Sequence, residues 1–169
     1  MSVDLMRPML DRIEEVLCDG AGVARTIAAP HRFRRGPFAG QRASEQGTEA
    51  MVSKGVYVSV TNAESMTQPE MHNVLSYRLR VRIDLFYHLP DTYMHPQFSA
   101  ALAEAATDLH RVRMALCYPG NLEATASGEA TGLSGSALEF ERWSMQDPDP
   151  ENRLLRASAQ AIGRINMTA

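Results

Sequence analysis

The clearest pattern in this chain is a strict alternation of apolar and polar positions over residues 75–89. One set of positions is apolar and the intervening set is mostly charged: Leu79, Val81, Ile83, Leu85 and Tyr87 alternate with Arg78, Arg80, Arg82, Asp84 and His88. A period of two predicts a β-strand with one apolar face. Because a strand cannot bury such a face alone, a helix or a second sheet has to cover it.

Two amphipathic helices are predicted to form this cover. Over residues 96–116 the apolar side chains recur at steps of three and four: Phe98, Leu102, Ala105, Leu109, Val112 and Leu116. An N-terminal helix has a similar stripe and ends at Asp19-Gly20, where glycine tolerates left-handed geometry. The residues of that stripe are Leu5, Met9, Ile13, Val16 and Leu17. Stripes of this kind are typical of helices that pack one face against a core.

Further strands are predicted in the rest of the chain, over residues 22–29, 51–61, 122–130, 137–145 and 153–167. The connection between the strands at 51–61 and 75–89 is too short for a crossover helix, which favours antiparallel pairing. Small residues on one face of the last strand indicate that another part of the chain packs very close: Ala157, Ala159, Ala161 and Gly163. Together these elements predict an α+β fold, with a largely antiparallel or mixed β-sheet and two main helices packed on one face.

The composition predicts one domain that spans residues 1–169. The chain is 44% hydrophobic, which is enough for one core, and 169 residues are too few for two independent domains. Its formal net charge of -3 argues against a dedicated nucleic-acid binder. No apolar run approaches the roughly 20 residues that span a membrane, and the first residues lack a signal-peptide pattern. We therefore expect a soluble protein made inside the cell, with no membrane partner.

No catalytic or metal-binding motif emerges from the sequence. The histidines lie on different predicted elements and none has ligand spacing: His31, His72, His88, His95 and His110. Cys18 and Cys117 are isolated, which predicts reduced, buried thiols. The carboxylates Glu139 and Glu141 have no nucleophile–base set beside them and are expected to pair with arginines across strands. We expect no enzymatic activity, no metal and no cofactor.

The charged side of the strand at 75–89 is the first candidate functional surface. Arg78, Arg80 and Arg82 form a row with a spacing of about 6.6 Å, twice the rise of a strand. Like charges at this distance repel, so acids from a neighbouring strand or from another subunit have to face them. The first alternative is a solvated face and the second is a subunit interface. The predicted interface residues are Arg78, Arg80, Arg82, Glu139, Glu141, Arg156 and Arg164.

The second candidate surface is a long basic loop at about residues 30–50, where glycine and proline interrupt any periodic pattern. Its first half is basic without an acid: His31, Arg32, Arg34, Arg35 and Arg42. A docking arm that orders on an acidic protein partner is one interpretation. A nucleic-acid contact, with Phe33 and Phe38 available for stacking, is another.

The order of elements resembles a known family. The N-terminal helix, the strand pair that ends at residues 82–89, the helix over 100–116 and the closing β-region are similar to the tail terminator and tail completion (minor tail) proteins of long-tailed bacteriophages. The resemblance covers most of the chain and is one of pattern. It implies a non-enzymatic virion protein of the tail or neck, assembled in the host cytoplasm.

That family resemblance also implies partners. Such proteins form a ring, typically a hexamer, on the end of the tail tube, where they stop tube polymerisation and offer a head–tail joining surface. The implied partners are copies of the same chain, the tail tube protein and a head–tail connector or neck protein, with DNA present only as it passes through the lumen. The loop arginines would then dock on a partner or line that lumen.

Three other interpretations remain open from the residues. In the first, the chain is another neck or head–tail connector component. In the second, it is a small ligand-binding or enzymatic α+β domain with a pocket. The third is a nucleic-acid-binding module that uses the basic loop, whose binding would weaken steeply with salt.

Overall fold

The computed structural model describes residues 6–36, 53–66, 74–88, 95–133, 135, 137–147, 149, 151 and 154–168. Its helices and strands follow one another in this order: α1 (Arg7–Glu14), which continues as a π-helical turn (Glu15–Asp19), a 3-10 turn (Ala29–His31), β1 (Arg34–Arg35), β2 (Ser53–Ser65), β3 (Val74–His88), α2 (His95–Leu116), β4 (Glu139–Met145) and β5 (Leu154–Thr168). The two long helices and the clear strands lie where the sequence predicts them.

The strands form one mixed sheet in the order β1-β2-β3-β5-β4. The short β1 runs parallel to β2, and the other pairs are antiparallel. The predicted antiparallel pairing of β2 with β3 is therefore confirmed. β3 and β5 pair over their whole length, from Val74 opposite Thr168 to His88 opposite Leu154. With two helices beside this sheet, the fold is α+β, as predicted.

The apolar face of the sheet and both helices share one core. All five alternating apolar residues of β3 are fully buried: Leu79, Val81, Ile83, Leu85 and Tyr87. Met9 and Ile13 of α1 and Val112 and Leu116 of α2 belong to the same buried cluster. Because one cluster contains residues from both helices, the helices cover the same face of the sheet, as expected. Leu5 of the predicted first stripe lies outside the described residues.

Small residues in β5 allow this close packing. Ala157, Ala159 and Ala161 are fully buried opposite Leu85, Ile83 and Val81 of β3. A Cβ atom at Gly163 would lie 2.9 Å from Leu133 Cδ2 and 3.0 Å from Leu138 Cδ2. The predicted close approach is therefore confirmed, and the segments before β4 supply part of it.

The strand predictions at residues 22–29 and 122–130 are wrong. Residues 22–25 form a bend, and the second stretch contains turns and a single bridge from Ala124 to Ala130. In the first stretch, the backbone is hydrogen-bonded to the side chain of Asn121, which is fully buried, instead of to a neighbouring strand. Its side chain accepts a hydrogen bond from Val23 N at 2.7 Å and donates to Ala24 O at 2.8 Å and Ala115 O at 2.9 Å. Backbone groups need a partner and not a particular structure, so this amide side chain can hold the first stretch. In the second stretch, Thr125 Oγ1 accepts a hydrogen bond from Glu129 N at 3.0 Å, and Thr131 Oγ1 donates to Glu123 O at 3.2 Å.

Two element ends also differ from the prediction. The N-terminal helix ends before Gly20, which has φ 65°, as expected, but its last turn is π-helical. β2 continues to Ser65, beyond the end predicted at residue 61. A bulge between Val60 and Asn62 shifts the register there and lets the pairing with β3 continue.

Enlarging Ala159 tests the close packing of β5. We expect Ala159→Leu to lower the free energy of unfolding by about 1–3 kcal/mol, because the added atoms have no space beside Ile83. Gln160→Leu, the next residue on the opposite face, is the matched control and should change stability much less. Urea denaturation of both variants measures the difference, and equal effects would contradict this account of the core.

Candidate functional site

One face of the sheet carries the polar side chains, and the described helices lie on the other. This polar sheet face consists of Glu64, Arg78, Arg80, Arg82, Asp84, Glu139, Glu141, Arg142, Ser144, Arg156, Ser158, Gln160 and Arg164. Arg78, Arg80, Arg142 and Arg164 are exposed. The period of two in β3 and β5 places these residues there, because each strand gives its apolar side chains to the core. The face holds more arginines than carboxylates.

Asp84 is the buried centre of this face. It is 3% exposed and receives a short hydrogen bond from Ser158 Oγ. Arg82 Nε lies 3.0 Å from Asp84 Oδ1, and Arg156 Nη2 lies 3.0 Å from Asp84 Oδ2. Burial favours the neutral acid, but the hydrogen bonds from Ser158, Arg156 and Arg82 outweigh it and lower the pKa of Asp84. The carboxylate is therefore ionised and fixes two arginines in place.

The predicted interface residues divide into two groups. Three of the arginines have acidic partners in their own chain, since Arg82 and Arg156 share Asp84 and Arg80 Nε lies 3.4 Å from Glu141 Oε2. Asp84 was predicted to lie on this face but not to neutralise these arginines. The guanidinium of Arg156 also lies 5.4 Å from the centre of the Phe86 ring, which holds it against the sheet.

The second group has no such partner. Arg78 of β3 lies directly opposite Arg164 of β5, and both are exposed. Within the described parts of the chain, neither arginine forms an ion pair, and neither does Glu139. Arg142, which the sequence analysis did not select, is a further exposed arginine of this face without an ion pair to a described residue. Like charges placed opposite each other destabilise a sheet.

Two depressions lie on this side of the molecule. One has a volume of ≈ 220 Å³ and is lined by Arg82, Arg142, Ser144, Gln146, Ser158 and Gln160. The other has a volume of ≈ 30 Å³ and lies among Asn62, Glu64, Arg78, Leu79, Arg80 and Ile162. The larger depression is lined only by polar side chains, none of them acidic, so it is suited to a polar or anionic group.

The basic loop is more structured than predicted in its first part. His31 ends a 3-10 turn and lies 3.5 Å from Glu104 Oε1, and Arg32 Nε donates to Ile27 O at 3.2 Å. Arg34 and Arg35 form β1. Arg35 pairs with Asp19 at 2.5 Å and Glu14 at 3.6 Å. Arg42 lies outside the described residues, so the predicted loop over that part of the chain stays a prediction.

A second charged cluster was not predicted. Lys54, the only lysine, is buried and pairs with Asp108 at 2.9 Å and with Glu104. Asp108 is fully buried and also contacts Arg111 Nη1 at 2.7 Å and the Tyr87 hydroxyl, which donates to it at 3.2 Å. Burial, together with the neighbouring Asp108, raises the pKa of Tyr87. The cluster ties β2 and β3 to α2.

The sequence did contain a signal for this cluster. Lys54 occupies the same alternate positions as Val56 and Val58, so it belongs to the buried face of β2. Asp108 lies three residues after Ala105 and four before Val112, on the buried stripe of α2. A charged residue at an apolar position of each element predicts that the two meet, because an unpaired buried charge is very costly.

The remaining chemistry-bearing residues are separate from these clusters. Cys18 and Cys117 are free thiols of intermediate exposure, and burial raises the pKa of Cys18 to about 12. No three histidine, cysteine or acidic side chains come together as metal ligands among the described residues. In the same part of the chain, no helix is both long and apolar enough to cross a membrane.

Replacing Asp84 tests its role as the centre of the polar sheet face. We expect Asp84→Asn to lower the free energy of unfolding by about 2 kcal/mol at neutral pH, because the hydrogen bonds to a charged acceptor are lost. Glu141→Gln is the control and should cost less than about 1 kcal/mol, since its ion pair with Arg80 is exposed.

The pH dependence of that difference gives a second readout. The pKa of Asp84 in the folded protein lies below the ordinary aspartate value of 3.8, so its contribution to stability is present above pH 3.8 and is lost as the pH falls through the folded-state pKa. Urea denaturation from pH 7 to pH 3 should therefore show the gap between wild type and Asp84→Asn narrowing only at the acidic end. A gap that widens in acid would contradict this assignment.

Replacing Lys54 tests the buried ion cluster. Lys54→Met leaves Asp108 with one cation fewer in a buried site, so we expect a loss of about 3–5 kcal/mol in the free energy of unfolding. His31→Ala, which removes a partly exposed neighbour of Glu104, should cost less than about 1 kcal/mol. Thermal and urea denaturation measure both, and a Lys54→Met protein as stable as wild type would show that the cluster contributes little.

Comparison with known proteins does not assign a family. No protein-family model matches the chain, and no curated protein matches it. The function is therefore argued from the chemistry of the chain's own surface, of which the polar sheet face and its uneven charge are the most distinctive part.

Proposed function

We propose that this protein is a structural component of a bacteriophage tail, a tail terminator that forms a ring, with the hexamer as the expected form. In that role the ring caps the tail tube, stops its polymerisation and presents a surface for head–tail joining. This role is structural and involves no enzymatic activity. The observation that supports it is the pair Arg78 and Arg164, which lie opposite each other and form no ion pair with a described residue, although Glu64 of β2 lies opposite Arg78 on its other side.

This arrangement is unfavourable in an isolated subunit. Two arginines directly opposite each other on a sheet repel, and Glu64, which lies opposite Arg78 on β2, forms no ion pair within the described part of the chain that would offset this repulsion. A carboxylate from a second molecule would convert the repulsion into two ion pairs. The arrangement therefore supports a surface that is completed by assembly.

Charge is distributed unevenly over the whole subunit. The chain carries a net charge of -3, whereas the polar sheet face holds more arginines than carboxylates. The rest of the molecule is accordingly acidic. Exposed acids include Glu123, Glu129, Asp147 and Glu151, on the segments around β4.

This uneven distribution of charge is suited to a ring. Head-to-tail rings need two different, complementary surfaces on each subunit. A basic sheet face and an acidic remainder supply surfaces of opposite charge, and arginine forks fix orientation by bidentate hydrogen bonds. A two-fold dimer would instead place the basic face against itself.

The same surface would also serve another neck or head–tail connector component. The two roles differ in their partner, because a terminator binds the end of the tube protein and a connector component binds the head side. Incubation with purified tail tube protein separates them. A terminator shortens or caps the tubes seen in negative-stain images, and a connector component leaves their length unchanged.

Light scattering after size exclusion, at several protein concentrations and with and without tail tube protein, tests the ring. Wild type should form a discrete closed oligomer, and Arg78→Ala with Arg164→Ala should reduce it to monomer without lowering the free energy of unfolding, since the repulsion is relieved. Arg7→Ala with Arg113→Ala removes the same charge from the helices and is the control. Monomer alone under every condition, including with tube protein, would overturn the proposal.

A further inference from the structure

The ≈ 220 Å³ depression on the polar sheet face has a geometry that subunit assembly does not explain. Its floor is made by three adjacent strands in register. Arg82 of β3 and Arg142 of β4 both lie opposite Gln160 of β5, so a glutamine separates two arginines in one row. Neighbouring strands are about 4.8 Å apart, which places the two arginine backbones roughly 10 Å from each other.

The next row completes the floor with hydroxyl groups. Asp84 and Ser144 both lie opposite Ser158, and Gln146 adds an amide at the end of β4. Asp84 belongs to this row, where it forms ion pairs with Arg82 and Arg156 and accepts a hydrogen bond from Ser158. The acid therefore fixes Arg82, and none of the side chains that line the depression is acidic.

The side chains that line the depression retain mostly hydrogen-bond donors that are available to a ligand. Arg82 Nε donates a hydrogen bond to Asp84, and the guanidinium has further N–H donors on its terminal nitrogens. Arg142 is exposed and has no ion pair to any residue that the structure describes. The amides of Gln146 and Gln160 and the hydroxyl of Ser144 add neutral donors. The local charge is positive, because Arg82, Arg142 and Arg156 face one carboxylate.

From this geometry we infer that the depression is an oxyanion-binding site. Arg82 and Arg142 hold the anion from two sides, and Gln160 binds it from the floor. Phosphate and carboxylate share the required chemistry, which is a compact group with several oxygens that accept charge-assisted hydrogen bonds. A volume of ≈ 220 Å³ suits one such group with a small attached substituent. The site does not depend on the proposed ring.

Titration of the ¹⁵N-labelled chain with inorganic phosphate, and separately with glutarate, tests this inference by NMR at constant ionic strength and pH. The side-chain Nε–H signals of Arg82 and Arg142 and the amide signal of Gln160 should shift together and saturate. Saturable binding of either anion supports the site, and the anion that binds tighter identifies its source as a phosphate group or an acidic side chain.

Variants make the result specific. Arg142→Ala should weaken binding by about tenfold or more, the loss expected for a charge-assisted hydrogen bond. Gln160→Ala should weaken it less, because it removes a neutral donor. Arg113→Ala, which removes an exposed arginine from α2, should bind as wild type does.

Three results would overturn the inference. The first is the absence of saturable shifts for both anions, and the second is equal affinity in wild type and Arg142→Ala. The third is equal weakening by Arg142→Ala and Arg113→Ala, which would indicate general attraction between charges. Circular dichroism and thermal unfolding verify that each variant is folded. The titration is also run on the Arg78→Ala and Arg164→Ala variant, which is expected to be monomeric and keeps every residue that lines the depression, so its outcome is separate from that of the ring experiment.

Discussion

The antiparallel pairing of β3 with β5 along the whole length of both strands is the constraint on which the rest of the structure depends. These two strands occupy the middle of the sheet, and their register fixes which side chains share a face. On one side, alanines of β5 lie opposite leucine, isoleucine and valine of β3, and Leu133 and Leu138 approach Gly163 closely. On the other side, the same register places Arg78 against Arg164 and Asp84 against Ser158. A slip of one residue would exchange the two faces.

The cluster around Lys54 and Asp108 and the polar sheet face differ in how far their charges are paired within the chain. Lys54 and Asp108 are buried, and their pairing with Glu104, Arg111 and Tyr87 is complete within the chain. This completeness is typical of a structural cluster, because a buried charge without partners would not be tolerated. Among the residues that the structure describes, ion pairs on the polar sheet face form around Asp84 and Glu141, and the other arginines of the face are exposed. The incomplete cluster is therefore the one to which a partner or a ligand adds most.

Much of the fold could be predicted from the sequence, because alternation and helical spacing are local signals that tertiary packing reinforces. Residues 75–89 and 153–167 are long enough for the period of two to be unambiguous, and the helix over 96–116 carries a regular stripe. The segment at 22–29 could not be predicted, since part of its backbone is held by the side chain of Asn121, a contact across roughly 100 positions of sequence. The segment at 122–130 could not be predicted either, since Ala126 N donates to Glu15 Oε2, a residue of the first helix. Short runs of small residues give no period strong enough to reveal such a contact.

The candidate site was predictable in part for a related reason. Alternation gives the face on which Arg78, Arg80 and Arg82 lie, but not the register of β5 and β4, so it cannot show that Arg80 pairs with Glu141 while Arg78 faces Arg164. Arg142 was missed because a bulge between Phe140 and Arg142 changes the side of the strand on which it lies. The cluster of Lys54 and Asp108 was missed although each residue breaks an apolar pattern, since a single sequence does not say which two interruptions meet.

The central claim is that the basic side of this sheet contacts other copies of the chain. A photo-activated cross-linker introduced in place of Arg164 tests it most directly, with the same group in place of Arg7 on α1 as the comparison. The account predicts cross-links from position 164 to a second copy, mapped by mass spectrometry to its acidic surface, and few from position 7. Cross-links from position 164 that remain within one molecule, at concentrations where position 7 behaves identically, would contradict it.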